Sequence, residues 1–170
     1  MTFVGFKPET TKSLAVKFGV ALVLIVSAYY GFFSRYKIFV DYYGNRCLDA
    51  RVFLIDLKDK ELREGKLVAL TGDGIPLLDD SMNYIKFIGG LEGTTVNFEG
   101  ITVENSNGFQ RYAPTNDQYR ELKRRHNLPT EWIVGEGEVF LFGDTHHSLD
   151  SRVVGLADAS TIFGTAYVIL

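Results

Sequence analysis

Three places in the sequence could do chemistry. Residues 143–152, Gly-Asp-Thr-His-His-Ser-Leu-Asp-Ser-Arg, crowd polar groups directly behind an apolar run. Lys86 sits inside Tyr84-Ile85-Lys86-Phe87-Ile88, an otherwise apolar segment, and alternation puts it on the face opposite Ile85 and Phe87. Cys47 is the single cysteine. A lysine on such a strand is commonly solvated at its tip. If it is buried, the charge loses its hydration, the pKa falls, and the amine becomes a base near neutral pH. A lone cysteine is more often a small core residue than a nucleophile. It cannot form an internal disulfide, and no Cys/His spacing resembles a zinc site. The pair His146-His147 invites a metal or a histidine base, but no third ligand lies nearby in the sequence. A solvated loop is the simpler reading, and neither metal nor cofactor is expected.

The elements that must position these groups are mostly short strands. Residues 37–43, 51–57, 66–70, 84–88, 95–98, 101–104, 138–142 and 166–170 carry strand patterns, and Glu99-Gly100 signals a hairpin. Seventeen glycines and thirteen phenylalanines fit turns and strands better than a helical bundle. Residues 115–127 predict a short helix, capped by Thr115 or Asn116 and ended by Pro129. Its run Arg120, Lys123, Arg124, Arg125 reads as a solvated face. The net charge of -3 supplies no positive field for phosphates, which argues against nucleic acid as a partner. Residues 18–34 lack any charge and approach the length of a membrane span, with Tyr29, Tyr30, Phe32 and Phe33 as an aromatic belt at one end. Bulky residues stand where a small-x-small cleavage site belongs, so an anchor fits better than a removed signal peptide. Lys7, Lys12 and Lys17 precede the span, while Arg35 and Lys37 follow it; the balance slightly favours a cytoplasmic N-terminus. The expected organisation is a cytoplasmic N-terminus over 1–17, a transmembrane anchor over 18–34, and a mainly β domain over 35–170 with a helical insertion at about 114–128.

Read in order, these segments resemble the type I signal peptidases, and especially the TraF-type peptidases of conjugative transfer that mature pilin. Gly65-Lys66 and the following apolar residues are similar to the family's first strand. The segment from Tyr84 to Gly93 is similar to its lysine strand. The run from Glu136 to Asp144 leads into Ser148-Leu149-Asp150-Ser151-Arg152, similar to the family's late box. The likeness covers nearly the whole chain. It implies a signal-peptidase-like antiparallel β catalytic domain behind an N-terminal transmembrane helix. It also implies a nucleophile–lysine dyad, with Lys86 as base, Ser148 orienting it, and Asp150 and Arg152 as a supporting ion pair.

The nucleophile region departs from the family pattern. Cys47 stands at the serine position by spacing to the strand at 51–57, Asp49 replaces proline, and Asn45 stands where larger members place an oxyanion hydroxyl. Phe87 replaces arginine and Glu92 replaces proline. The resemblance therefore implies an enzyme using Cys47 with Lys86 on an exported precursor protein such as pilin. It would sit in a bacterial inner membrane with its catalytic domain in the periplasm. A thioester intermediate would open a route to a cyclic pilin. The alternative is a catalytically degenerate scaffold that binds pilin in a transfer system.

Overall fold

The computed structural model describes residues 10–42 and 46–170. They form two compact units that divide after Tyr36. The first holds helix α1, Thr11–Phe33, whose N-terminus is capped by the Thr10 hydroxyl accepting from Ser13 N–H at 3.4 Å. At the helical rise its 23 residues make about 35 Å, enough for a hydrocarbon layer of about 30 Å. Among the described residues it is the one helix long and apolar enough to cross a membrane. None of its residues is buried, and Phe18, Leu22, Leu24 and Ile25 are all exposed. Such a surface suits lipid rather than water. The helix starts upstream of the uncharged run, with Lys12 and Lys17 inside it. Long aliphatic stems let ammonium groups reach a polar boundary from such positions.

The second unit is mainly antiparallel β. In chain order the strands begin with β1 (Tyr36–Val40), β2 (Val52–Asp56), β3 (Leu67–Thr71), β4 (Asn83–Gly90), β5 (Thr95–Glu99) and β6 (Thr102–Asn105). Then come β7 (Gln110–Tyr112), helix α2 (Asp117–His126), β8 (Glu131–Ile133) and β9 (Glu138–Phe142). Helix α3 (Ser151–Val154), β10 (Ala157–Asp158) and β11 (Ile162–Val168) close the chain. A seven-stranded sheet has the order β1-β2-β11-β3-β4-β9-β10, and a four-stranded sheet the order β7-β6-β5-β8. The last strand begins upstream of its expected place at 166–170, because residues 162–165 pair with β3 and residues 165–168 with β2, with a register shift between Ile162 and Gly164. Gly164 serves that passage: a Cβ there would sit 2.7 Å from the Asp56 carbonyl oxygen. The short strands β7, β8 and β10 carry too few residues for an alternating pattern.

The central strands β3, β4 and β9 of the large sheet are buried on both faces, which alternation alone does not reveal. Ala69, Ile85, Phe87, Phe140 and Phe142 belong to one apolar cluster. Val68, Leu70, Ile88, Val139 and Leu141 belong to the other. Lys86 pairs with Val68 across β3 and β4, so it points into the second cluster, away from Ile85 and Phe87 as the alternation predicts. The expected helix is present as α2. Asn116 caps it, accepting from Tyr119 N–H at 2.8 Å, and Asn127 ends it in the left-handed conformation. Its three arginines are exposed and pair with the helix's own acids: Arg124 and Arg125 with Glu121, and Arg120 with Asp117.

The two sheets are tied at the end of β4. Gly90 admits no side chain, since a Cβ would overlap Val96 and crowd Thr94 Oγ1 at 2.8 Å. Buried Asn105, on β6, donates from Nδ2 to the Gly89 carbonyl at 2.9 Å, and its Oδ1 accepts from Asn107 N–H and Phe109 N–H. Asn105→Ala should lower unfolding stability by about 2 kcal/mol, because buried backbone groups then go unpaired. Asn105→Asp should do no better, as it turns a carboxylate oxygen toward the Gly89 carbonyl. Denaturant titration of the purified chain checks both.

Candidate active site

Lys86 is 1% exposed, at the centre of a strand packed on both sides. Its Nζ donates to Ser148 Oγ at 3.0 Å and to the Leu149 carbonyl at 2.7 Å. The Ser148 hydroxyl in turn donates to Asp150 Oδ2 at 2.6 Å. A hydroxyl has one proton to give, so with that proton committed to Asp150 its lone pairs face Lys86. The amine is therefore steered by an acceptor whose own direction is fixed. Leu70, Ile75, Leu141 and Val154 wall the surrounding space and keep it apolar.

Asp150 and Arg152 form a buried pair with the bidentate fork of an arginine–carboxylate contact. Arg152 Nε meets Oδ1 at 2.7 Å and Nη2 meets Oδ2 at 2.6 Å. Arg152 also donates to the carbonyls of Ala113 and Pro114, which lead into α2. Its guanidinium lies 5.0 Å from the Phe98 ring centre and 5.9 Å from that of Tyr119. Burial pushes the Asp150 carboxyl upward. The charge and hydrogen bonds of Arg152, helped by Lys86 and Ser148, outweigh burial and hold it below the usual aspartate range. Burial likewise opposes the Arg152 cation, and Asp150 more than restores it. Tyr119, on α2, closes this region. Burial pushes its hydroxyl up to about 12, so it stays neutral.

Cys47 lies half-buried on an irregular turn before β2. Its carbonyl oxygen packs so tightly on Gly143 that a Cβ there would overlap it and the Ser148 side chain. Asp144 Oδ1 accepts from Asp49 N–H at 2.8 Å, and the Thr145 hydroxyl donates to the Arg46 carbonyl. The turn is flanked by two cavities. One, of about 200 Å³, is largely apolar, with Cys47, Phe39, Phe53, Tyr84 and Ile85 in its wall. The other, of about 320 Å³, is more polar than the first, with Arg46, Asp49, Asp144, His146 and His147 in its wall beside Tyr112.

Of the residues expected at the site, the structure gathers Lys86, Ser148, Asp150 and Arg152 into one hydrogen-bonded chain and sets the Cys47 backbone against it. Among the described residues no hydrogen bond joins the Cys47 thiol to Lys86. Asn45 lies outside the described residues. His146 and His147 are exposed, with ring centres 5.2 Å apart. Tyr119 escapes sequence reasoning as a site residue, while Gly143, Asp144 and Thr145 fall within the polar run singled out at 143–152 without an individual role. The polar density behind β9 was the available signal for those three, and the position three residues after the Asn116 cap was the signal for Tyr119.

The family described as signal peptidase, peptidase S26, matches residues 11–170. The chain belongs to this family, which implies a signal-peptidase-like peptidase acting on an exported precursor. A similar solved structure is the signal peptidase I of Enterococcus faecalis V583, 22% identical, covering 64% of this chain and 98% of that one, with a TM-score of 0.43. No curated protein matches.

Replacing Arg152 leaves a buried carboxylate without its cation. Arg152→Ala should cost about 3–5 kcal/mol. Arg152→Lys should recover little, since a point charge cannot reproduce the fork or reach the Ala113 carbonyl as well. Thermal unfolding of the three proteins side by side gives the comparison. A lysine variant as stable as the parent would contradict the geometric argument.

Proposed function

We propose that this chain is a membrane-anchored peptidase that processes an exported precursor with Cys47 as nucleophile and Lys86 as general base. The observation that carries the reading is the burial of Lys86 against Ser148, on the same loop that packs Gly143 against Cys47. Cys47 Sγ attacks the scissile carbonyl carbon and its proton passes to the Lys86 amine. The C–N bond then breaks, and the departing amine takes that proton, leaving a thioester. Ser148 orients Lys86, and Asp150 with Arg152 holds Ser148. The Asn45 amide donates to the developing oxyanion.

The substrate enters as an extended strand. β3 pairs with β4 from Asn83 to Phe87, whereas β9 pairs with β4 only from Phe87 onward. The segment 83–86 therefore offers one backbone edge for β-augmentation, beside the apolar cavity of Cys47. Small side chains before the scissile bond would fill that cavity. The anchor at 18–34 lies in a bacterial inner membrane and the domain at 35–170 in the periplasm, where an exported precursor is met at the membrane surface. The TraF-like order of motifs makes conjugative pilin the favoured precursor.

A second reading, a catalytically degenerate scaffold that binds pilin, is favoured by one observation: among the described residues no hydrogen bond joins the Cys47 thiol to Lys86. Activity decides between them. Lys86→Ala should lower precursor processing by on the order of 10²–10⁴-fold with the fold intact. Cys47→Ala should be inactive, and Cys47→Ser should keep part of the activity. Iodoacetamide should alkylate Cys47 more slowly in Lys86→Ala than in the parent. Processing at the normal rate by Cys47→Ala, or alkylation indifferent to Lys86, would favour the scaffold.

The thioester also sets the product. It reacts with amines better, relative to water, than an oxyester does. A substrate N-terminus held close can act at ~10⁵–10⁸ M. The amine would displace Cys47 Sγ, regenerate the thiol and close a head-to-tail cyclic pilin. Intact mass should read one water less than the linear mature chain, with no N-terminus open to sequential degradation. A full linear mass would make the enzyme a plain hydrolase.

A further inference from the structure

Cys47 sits on a turn with no helix or strand of its own to hold it. A reacting atom nevertheless has to be placed to a fraction of an ångström. Three consecutive residues on the opposite loop grip this turn. Gly143 packs on the Cys47 carbonyl, the Asp144 carboxylate takes the Asp49 N–H at 2.8 Å, and the Thr145 hydroxyl meets the Arg46 carbonyl. Thr145 and Asp144 thus fasten the chain on the two sides of Cys47. Three residues beyond Thr145 the same loop presents Ser148 Oγ, and next to it the Leu149 carbonyl, to Lys86. One short loop therefore holds the turn of the nucleophile at its start and the base at its end.

We propose that Asp144 is a positioning residue for Cys47. By accepting the Asp49 N–H it fixes the nucleophile turn to the loop that orients Lys86, so that thiol and amine keep one spacing. This role rests on the Cys47–Lys86 reading. Gly143 contributes by its lack of a side chain, and Thr145 bonds through a hydroxyl that can rotate. Asp144 alone of the three supplies a carboxylate acceptor to a backbone donor, and a charged acceptor makes the stronger bond.

Because the chain has a single cysteine, iodoacetamide uptake by the full-length protein in detergent reports on Cys47 alone. Asp144→Ala should slow alkylation to the Lys86→Ala rate and move the pH profile of the reaction with it. Asp144→Asn should restore most of both, since an amide oxygen still accepts the N–H without the strength that the charge adds. Asp49→Pro removes the donor instead and should reproduce the Asp144→Ala behaviour. A parental rate in Asp144→Ala would overturn the role, as would a loss in Asp144→Asn equal to that in Asp144→Ala. Should Asp144→Ala lack a thermal unfolding transition, Asp49→Pro decides, and a parental rate there overturns the role. Equal rates in the parent and Lys86→Ala mark a different failure: the dyad itself is then wrong, and the positioning role falls with it.

Discussion

The Asp150 carboxylate is shared among the Arg152 fork, the Gly143 N–H and the Ser148 hydroxyl. A buried charge of this kind is tolerated only when its cation and its remaining lone pairs are all provided for. Providing for them fixes much else. The Gly143 N–H brings the end of β9 to the site, and Ser148 carries the constraint to Lys86. The far side of Arg152 reaches the carbonyls of Ala113 and Pro114, so the root of the helical insertion is held by the same pair. The insertion is thus tied to the site through the side of Arg152 that the carboxylate leaves free.

Lys86 depends on this arrangement because the sheet around it is apolar on both faces. Were β4 open on one side, its long side chain would extend to water, the usual end for a lysine. Here Val68 lies opposite it across the strands, and Leu141 and Ile75 stand nearby. The polar atoms that meet Nζ come from the loop after β9, a segment 62 residues downstream. The strand supplies the depth and the loop supplies the partners, and neither alone would keep the amine in place.

This division explains what was legible in the sequence. The apolar helix, the alternation of β4, the hairpin at Gly100 and the capped helix after Asn116 each depend on neighbours a few residues apart, and each could be read. Lys86, Ser148, Asp150 and Arg152 stood out by their types in order. The burial of Lys86 did not, because it depends on what packs against each face of the sheet. The contacts of Asp144 with Asp49 and of Thr145 with Arg46 span 95 and 99 positions, and no local pattern announces them. The β7 and β8 strands exist because β6 and β5 offer them an edge, a tertiary cause that three residues cannot advertise.

The exchange of a hydroxyl for a thiol changes what such a site must accomplish. A serine hydroxyl is a weak acid, so an amine can take its proton only as the attack proceeds, and the site must keep that amine uncharged beforehand. A thiol differs. In water a thiol near pKa ~8.5 yields its proton to an amine near ~10.4 with a gain of about 2–3 kcal/mol. Burial works against the ion pair so formed, because both partners lose hydration. On the proposed reading the two effects oppose each other, and the balance is set by how near the thiol and the amine are held. Close contact lets the pair's attraction offset desolvation, while a gap leaves the neutral forms. In this fold that spacing depends on the loop that fastens the Cys47 turn at one end and orients Lys86 at the other. The demand on the protein thereby moves from tuning one lysine to keeping two segments of chain in a fixed relation.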